Sequence, residues 1–320
     1  MIEKHVEKQF KNLDEQVEIF KHKGMTINDD KYAKQILLRE NYFFLNGYRH
    51  LFMQDDRKFL EGTTFEEMYS LFLFDRSFRT IVFKYLLVIE NNLKSITSYQ
   101  LSKKYGYRER DYLRNKNFNQ DPSRQRQVND LISKMKRQIR VNGSQHSATL
   151  HYVSNYGYIP LWILVKVLSF GIVSEMFSIL KTEDQNDIAR IYEIDPEEFM
   201  VYLPILANYR NLCAHEDILY ENRTQKAIND TVYHQLLKIP KEDNEYIQGK
   251  NDLFTLIIIM KQLLQKEEFT NMTYELDRVI ETLNFNLHTI TINDVLDRMG
   301  FPINWKDIAS IERSRDEVEE

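Results

Sequence analysis

Residues 65–106, FEEMYSLFLFDRSFRTIVFKYLLVIENNLKSITSYQLSKKYG, run to Gly106 without an earlier glycine or a proline. Nothing in the run stops a helix, so it reads as two long helices or one bent one. Thr63 and Thr64 precede it, and Glu66 and Glu67 occupy its first turn. That arrangement suits both a capping box and the positive end of a helix dipole. Phe72, Leu86, Ile89 and Leu93 form a buried-looking stripe, in which Asp75, Arg76, Arg79, Glu90 and Asn91 are embedded. Buried charges need partners, so a structural network among Arg79, Glu90 and their neighbours is expected.

On the N-terminal side, Val6, Phe10, Leu13, Val17 and Phe20 recur at spacings of three and four, which predicts an amphipathic helix over about 3–23, ended by Gly24. Asn28 to Asp30 read as a cap before a second helix, KYAKQILLRENYFFLNGYRHLF. Its dense aromatic end (Tyr42, Phe43, Phe44, Tyr48, Phe52) is expected in the core. On the C-terminal side a polar stretch, 106–121, is followed by Asp121 and Pro122 at the start of PSRQRQVNDLISKMKRQIR. HYVSNYGYIPLWILVKVLSFGIVSEMFSIL then supplies Tyr152, Tyr156 and Tyr158 ahead of Pro160 and an apolar helix interrupted at Ser169 and Gly171. His151, beside Tyr152, reads as a packed or capping residue. Asp195 and Pro196 begin a helix with Pro204 inside it, where a kink is expected. The remainder reads as helices in TQKAINDTVYHQLLK, DLFTLIIIMKQLLQ, NMTYELDRVIETLNFNL and TINDVLDRMG, with a frayed RSRDEVEE.

Only nine Gly and six Pro in 320 residues favour long helices, and the expected class is all-α. Cys213 is the single cysteine, which excludes an internal disulfide and a cysteine-based metal site and suits a reducing cytosol. The first residues lack a signal-peptide apolar core. The most apolar stretch, PLWILVKVLSFGIVSEMFSIL, is broken by Lys166, Ser169 and Glu175, so no membrane span is expected. With no Gly-rich phosphate loop and no paired metal-binding carboxylates, neither cofactor nor metal is expected.

Net charge is −5, against a general nucleic-acid coat, but it is unevenly spread. Residues 103–140 carry twelve cations: Lys103, Lys104, Arg108, Arg110, Arg114, Lys116, Arg124, Arg126, Lys134, Lys136, Arg137 and Arg140. With four acidic residues among them the segment is +8, leaving −13 elsewhere. Such a patch can neutralise phosphates and release counterions, although a solvated helix face has the same composition.

Residues 208–223, NYRNLCAHEDILYENR, hold the candidate chemistry. Asn211 and His215 are an i, i+4 pair on one helix face, while Arg210 lies about 140° away and must converge through its length. Cation, amide and imidazole together can surround a phosphate. Arg followed by His after four to six residues arises by chance about 1.4 times with 19 Arg and 8 His, and a second match, Arg140 with His146, is present. Context has to carry the weight.

That context resembles the abortive-infection Abi-like family, a branch of the HEPN superfamily of helical RNA-handling domains. NYFFLNGYRHLF is similar to the family's N-Y-Y-R-L-S-G-Y block, and FEEMYSLFLFDRSFRTIVFKYLLVIE to its F-D-R block ending in I-E. Pro160, Trp162 and Ser169-Phe170-Gly171 match its P-x-W and S-F-G pattern, and RNLCAH with Asn222 and Arg223 its R-N-x-x-A-H segment followed by N-R. The resemblance spans about 28–225. It departs at Glu216, where many relatives have a second His, and at Ile218, where a basic residue is usual.

The resemblance implies a HEPN-like helical bundle over 1–240, with a basic insertion at about 103–142 and a C-terminal helical extension, 241–320. It also implies homodimerisation and metal-independent RNA cleavage leaving a 2′,3′-cyclic phosphate, in phage defence as the toxin of a toxin–antitoxin-like system. Arg210, Asn211 and His215 would be catalytic. RNA, a structured noncoding RNA or tRNA, would be held by Arg223 and the basic segment, and an antitoxin RNA or protein would restrain the activity. A structured-RNA-binding protein without catalysis is the alternative, which Glu216 favours.

Overall fold

A computed structural model describes residues 9–143 and 145–313. The N-terminal part consists of α1 (Leu13–His22), α2 (Asp30–Glu40), α3 (Tyr42–Asn46) and a 3-10 segment (Gly47–Phe52). The middle holds α4 (Phe65–Tyr105), α5 (Glu109–Tyr112), α6 (Gln125–Asn142), α7 (Ser147–Tyr156), α8 (Leu161–Val167), α9 (Phe170–Ser178), α10 (Thr182–Ala189) and α11 (Pro196–Ala214). The C-terminal part adds α12 (Val232–Leu236), strands β1 (Lys241–Glu242) and β2 (Glu245–Tyr246), then α13 (Leu253–Leu263), α14 (Lys266–Asn284) and α15 (Ile292–Met299). The architecture is all-α with one short hairpin.

The run Phe65–Tyr105 is one continuous helix. Thr64 caps α4 through the Glu67 N–H, and Gly106 ends it. At 1.5 Å per residue α4 is roughly 60 Å long. It is covered on several sides: α8, α11 and α14 pack along it, and Phe65, Leu71, Phe78, Val82, Leu86, Ile89 and Leu93 are all buried. A helix this long gains its stability from such packing rather than from propensity.

Two N-terminal expectations need correction. The first helix begins at Leu13, because Asn12 and Glu15 form a reciprocal capping box there. Phe10 is 89% exposed, and the expected positions 3–8 lie outside the described residues. The second helix breaks at Asn41, whose φ of 67° is left-handed and whose side chain accepts the Phe43 N–H to start α3. The break divides the aromatic block: Tyr48 and Phe52 are buried, whereas Phe43 and Phe44 face solvent at 76% and 54% exposure.

Further along, helix starts follow their caps. Asp121 caps the 3-10 turn Pro122–Arg124 that leads into α6, Ser169 caps α9, and Asp195 caps α11. α11 continues through Pro204. The expected helix over 224–238 shrinks to α12, and Asp243 and Asn244, both at positive φ, turn the β1–β2 hairpin. α13 is buried among α4, α11 and α14, with Leu256, Ile257, Ile258 and Met260 fully enclosed. Residues 314–320, which include most of the RSRDEVEE read as frayed, lie outside the described residues. No described helix is long and apolar enough to cross a membrane.

Candidate functional site

α11 delivers its motif to the end of the bundle. Tyr209 is buried and donates to the Asp252 carbonyl at 3.1 Å, tying the last turns of α11 to the segment before α13. Cys213 lies on the buried side, where desolvation pushes its thiol up to about 12, so it stays a neutral thiol and is no nucleophile. His215 is the C-cap residue, its N–H donating to the Asn211 carbonyl, and the exposed Glu216 turns the chain at φ 58°.

The segment after His215 is held by one buried carboxylate. Asp75 of α4 accepts from the Tyr48 hydroxyl (2.7 Å), Arg79 Nη1 (2.9 Å) and the N–H groups of Leu219 (3.1 Å) and Tyr220 (2.8 Å). Arg79 Nη1 also donates to the Asp217 carbonyl at 3.0 Å. Burial pushes the Asp75 carboxyl up, against the pull of those donors. The aromatic block, the F-D-R block and the motif segment thereby meet in one hydrogen-bonded unit. Gly47 completes it, because a Cβ there would lie 2.5 Å from Ile218 Cδ1.

Over this unit opens a cleft of about 870 Å³, lined among others by Arg39, Phe43, Phe44, Arg49, Arg76 and His215. Arg76 is held by Glu40 through two bonds of 3.1 and 2.5 Å and lies 4.6 Å over the Phe72 ring. Arg49 Nη1 donates to the Asn46 carbonyl, and among the described residues neither it nor the exposed Arg39 has a carboxylate partner. His215 is exposed and its ring has no hydrogen-bond partner among the described residues. Arg39 and Arg49 were missed in the sequence. The signal was there, as two cations flanking the aromatic block, but their sharing a cleft with His215 depends on the break at Asn41.

Arg210 turns elsewhere. Its Nε contacts Glu90 Oε2 of α4 at 3.1 Å, its guanidinium stands 5.8 Å over Phe83, and it does not line the cleft. The other Glu90 oxygen accepts from Lys94 at 2.7 Å. The network expected among Arg79 and Glu90 is therefore two networks, one around Asp75 with Arg79 and one around Glu90 with Lys94 and Arg210. Asn211 is exposed beside them. Arg223 reaches the C-terminal part instead, pairing with Asp252 at 3.0 Å and donating to the Arg298 carbonyl.

The basic segment also divides. Lys104 pairs with Glu183 and Asp184, Arg114 with Asp111, and Lys134 with Glu175. Arg124 donates to the Ser178 carbonyl. Arg110, Lys136 and Arg140 line one groove of about 510 Å³ between α5 and α6. Arg126, Arg137, Lys103 and Lys116 are exposed and without an ion pair among the described residues, and Arg108 lies against aromatic rings. Five cations are thus bound to carboxylates or a carbonyl, counting Arg223, and the groove trio, which shares its wall with Glu109, has no ion pair among the described residues.

No group of three or more His, Cys, Asp or Glu able to hold a metal occurs among the described residues. Comparison with curated proteins and with solved structures finds no match. The family model described as Abi-like protein matches residues 35–221, from α2 to the end of the loop that Asp75 holds. The match covers more than half of the chain, and the chain belongs to the Abi-like protein family.

Proposed function

We propose that this chain is an RNA-binding protein of abortive infection, HEPN-like in its chemistry, that cuts RNA without a metal ion through His215. The observation that carries this reading is the cleft in which an exposed imidazole shares walls with Arg39, Arg49 and Arg76. A polyanion fits those cations, and an imidazole exchanges protons near neutral pH. In the reaction the ribose 2′-hydroxyl attacks the adjacent phosphorus; the 2′-O–P bond forms as the P–O5′ bond breaks. The 2′-hydroxyl proton passes to a base, and the departing 5′-oxygen receives a proton, leaving a 2′,3′-cyclic phosphate and a 5′-hydroxyl.

One imidazole does not serve both oxygens at once. A twofold homodimer with the 210–215 segments facing each other supplies a His215 on each side of the phosphate. Arg210 then stabilises charge on the phosphoryl oxygens and Asn211 orients the phosphate. The setting is the cytosol, and an antitoxin RNA or protein that covers the cleft restrains the activity.

Incubating the full chain with total cellular RNA in chelator tests the reading, beside His215→Ala and Arg210→Ala. Cyclic-phosphate ends are expected from the unsubstituted protein, with a loss of about a hundredfold or more in His215→Ala. Tight binding without cleavage rejects the nuclease, and a monomer by light scattering that still cuts rejects the two-copy site. The second reading, structured-RNA binding without catalysis, is favoured by two observations: Arg210 is engaged by Glu90, and Glu216 follows His215.

A further inference from the structure

One feature of the middle region has no part in the cleft. Rings from α7, α8 and the segment around 107 form a continuous surface chain. Trp162 and Tyr107 have centroids 5.9 Å apart, Tyr107 and Tyr158 5.7 Å, Tyr158 and Tyr156 6.3 Å, and Tyr156 and Tyr152 5.3 Å. His151 adjoins both Tyr152 and Tyr156. Core aromatics are buried, and these are not: Tyr156 is 56% exposed, Trp162 42% and Tyr107 41%. Interplanar angles in the chain run from 37° to 54°, so the rings meet at a tilt and do not consume one another's faces by stacking.

Cations are interleaved with the rings. The Arg108 guanidinium lies 5.7 Å from the Tyr107 centroid and 5.1 Å from that of Tyr158. At the Trp162 end a hollow of about 430 Å³ is lined by Tyr99, Tyr107, Trp162, Lys103 and three serines, with no carboxylate in its wall. One of them, Ser102, has a buried Oγ without a hydrogen-bond partner among the described residues. Next to Arg108, Glu109 accepts the Ile159 N–H and the Tyr112 hydroxyl donates to the Ile159 carbonyl. Those two bonds fasten α5 beside Tyr158. α5 in turn carries Arg110 into the groove with Lys136 and Arg140. Ring chain and cationic groove are two sides of one anchored element.

We propose that this aromatic chain, continued by the Arg110–Lys136–Arg140 groove, is a binding track for single-stranded RNA, with unpaired bases stacking on Trp162, Tyr107 and Tyr156 and the phosphates following the cations. The proposal rests on the RNA-binding reading above and adds where, and on what form of RNA, binding occurs. Sequence-tolerant stacking on aromatic faces beside a positive groove is how unpaired strands are held. The exposed ring faces select the form. In a duplex each base face is covered by its stacked neighbour, so only an unpaired, splayed base can offer a face to these rings. The cationic surround favours a polyanion over an apolar protein partner or a second copy of this chain.

The test uses a 2′-O-methyl oligouridylate, which binds but cannot cyclise, and a blunt RNA duplex, both followed by fluorescence anisotropy. Trp162→Leu and Tyr156→Leu keep apolar bulk and remove the ring; each is expected to weaken oligouridylate binding by about tenfold. The salt slope stays unchanged because no charge is lost, and Tyr156→Phe retains affinity. Charge reversal at Arg110, Lys136 and Arg140 instead lowers the salt slope. Direct contact is read from fluorescence. Of the two tryptophans, Trp305 is 1% exposed, so quenching by oligouridylate belongs to Trp162 and disappears in Trp162→Phe.

Unchanged oligouridylate affinity in both leucine variants, or equal loss on duplex, overturns the proposal. So does a change of molecular mass in light scattering, which would make the rings a contact between copies. If the rings fail while the groove reversal still changes the salt slope, the RNA-binding reading stands alone. If the unsubstituted protein binds neither probe, both fall.

Discussion

Asp75 and Glu90 occupy the same helix and are both buried, and each is paired with a cation four residues further along, Arg79 or Lys94. Their surroundings differ. Asp75 is closed: every donor it accepts from is inside the protein, and two of them are main-chain N–H groups of the loop behind His215. Glu90 is open: its second oxygen holds Arg210, whose side chain remains 30% exposed. A closed carboxylate fixes geometry. An open one holds a guanidinium that still faces solvent.

The comparison breaks most readily at Asp75. Asp75→Ala leaves Arg79 buried without a counter-charge and frees the loop 217–220, and the expected loss is about 3–5 kcal/mol in denaturant unfolding. A loss below about 1 kcal/mol would mean that water or another carboxylate replaces Asp75. Glu90→Gln keeps an acceptor for Lys94 and should cost less, about 1–3 kcal/mol. It also releases Arg210. If Arg210 serves the phosphate, RNA cleavage or affinity rises in this variant at temperatures where it is folded; a variant that is only less stable shows that Arg210 is a packing residue.

Another buried titratable group, His234, has no ion pair among the described residues, unlike either carboxylate. It is fully buried, stacks on Tyr246 at 4.8 Å, and its Nδ1 takes the Thr231 N–H while Nε2 faces the Gly249 carbonyl. Burial lowers its pKa from the ordinary 6.5, so the unfolded chain binds the proton first and acid favours unfolding. Stability should fall as pH drops below 6.5, with a slope of at most about 1.4 kcal/mol per pH unit from this group. That slope should vanish in His234→Gln, which is checked by urea unfolding at several pH values.

The smallest effect is expected beside the motif histidine. Glu216 adopts φ 58°, and Glu216→Gly should stabilise by up to about 1 kcal/mol by removing the Cβ conflict of a left-handed residue. A loss of stability on substitution would show that the side chain contributes more than its backbone strain costs.

Much of the fold could be read from the chain. Thr64, Asp121 and Asp195 all start elements where local capping chemistry predicts, because a cap needs only its own next three residues, whereas Ser169, read as an interruption, is the cap of α9. The absence of glycine and proline predicts helix throughout 65–105 but leaves two helices or one open, and the structure makes it one. What misled were places where the backbone itself departs from the common regions: Asn41 splits an expected helix, and Asp243 and Asn244 make a hairpin where only helix was expected nearby. The basic segment was legible as a cluster but not as a partition, since Lys104, Arg114 and Lys134 meet carboxylates whose positions depend on packing.

The sequence by itself determined which residues share a helix face, that Asp75 and Glu90 would need partners, and that Arg210, Asn211 and His215 sit at one helix end. Helical periodicity is local, and it settles those questions within a few residues. The tertiary structure decided the rest. Asp75 finds its loop donors 144 and 145 residues away and Glu90 its arginine 120 residues away, so only the packing of α11 on α4 could turn Arg210 from His215 toward Glu90. The fold also brings Arg39 and Arg49 into the cleft that His215 lines and leaves the rings of Tyr107, Tyr156 and Trp162 on the surface. Helical spacing supplies each buried carboxylate with one partner, Arg79 or Lys94 four residues on, but the remaining lone pairs are satisfied by whatever group the fold brings within hydrogen-bonding distance, and no spacing along the chain encodes that second partner.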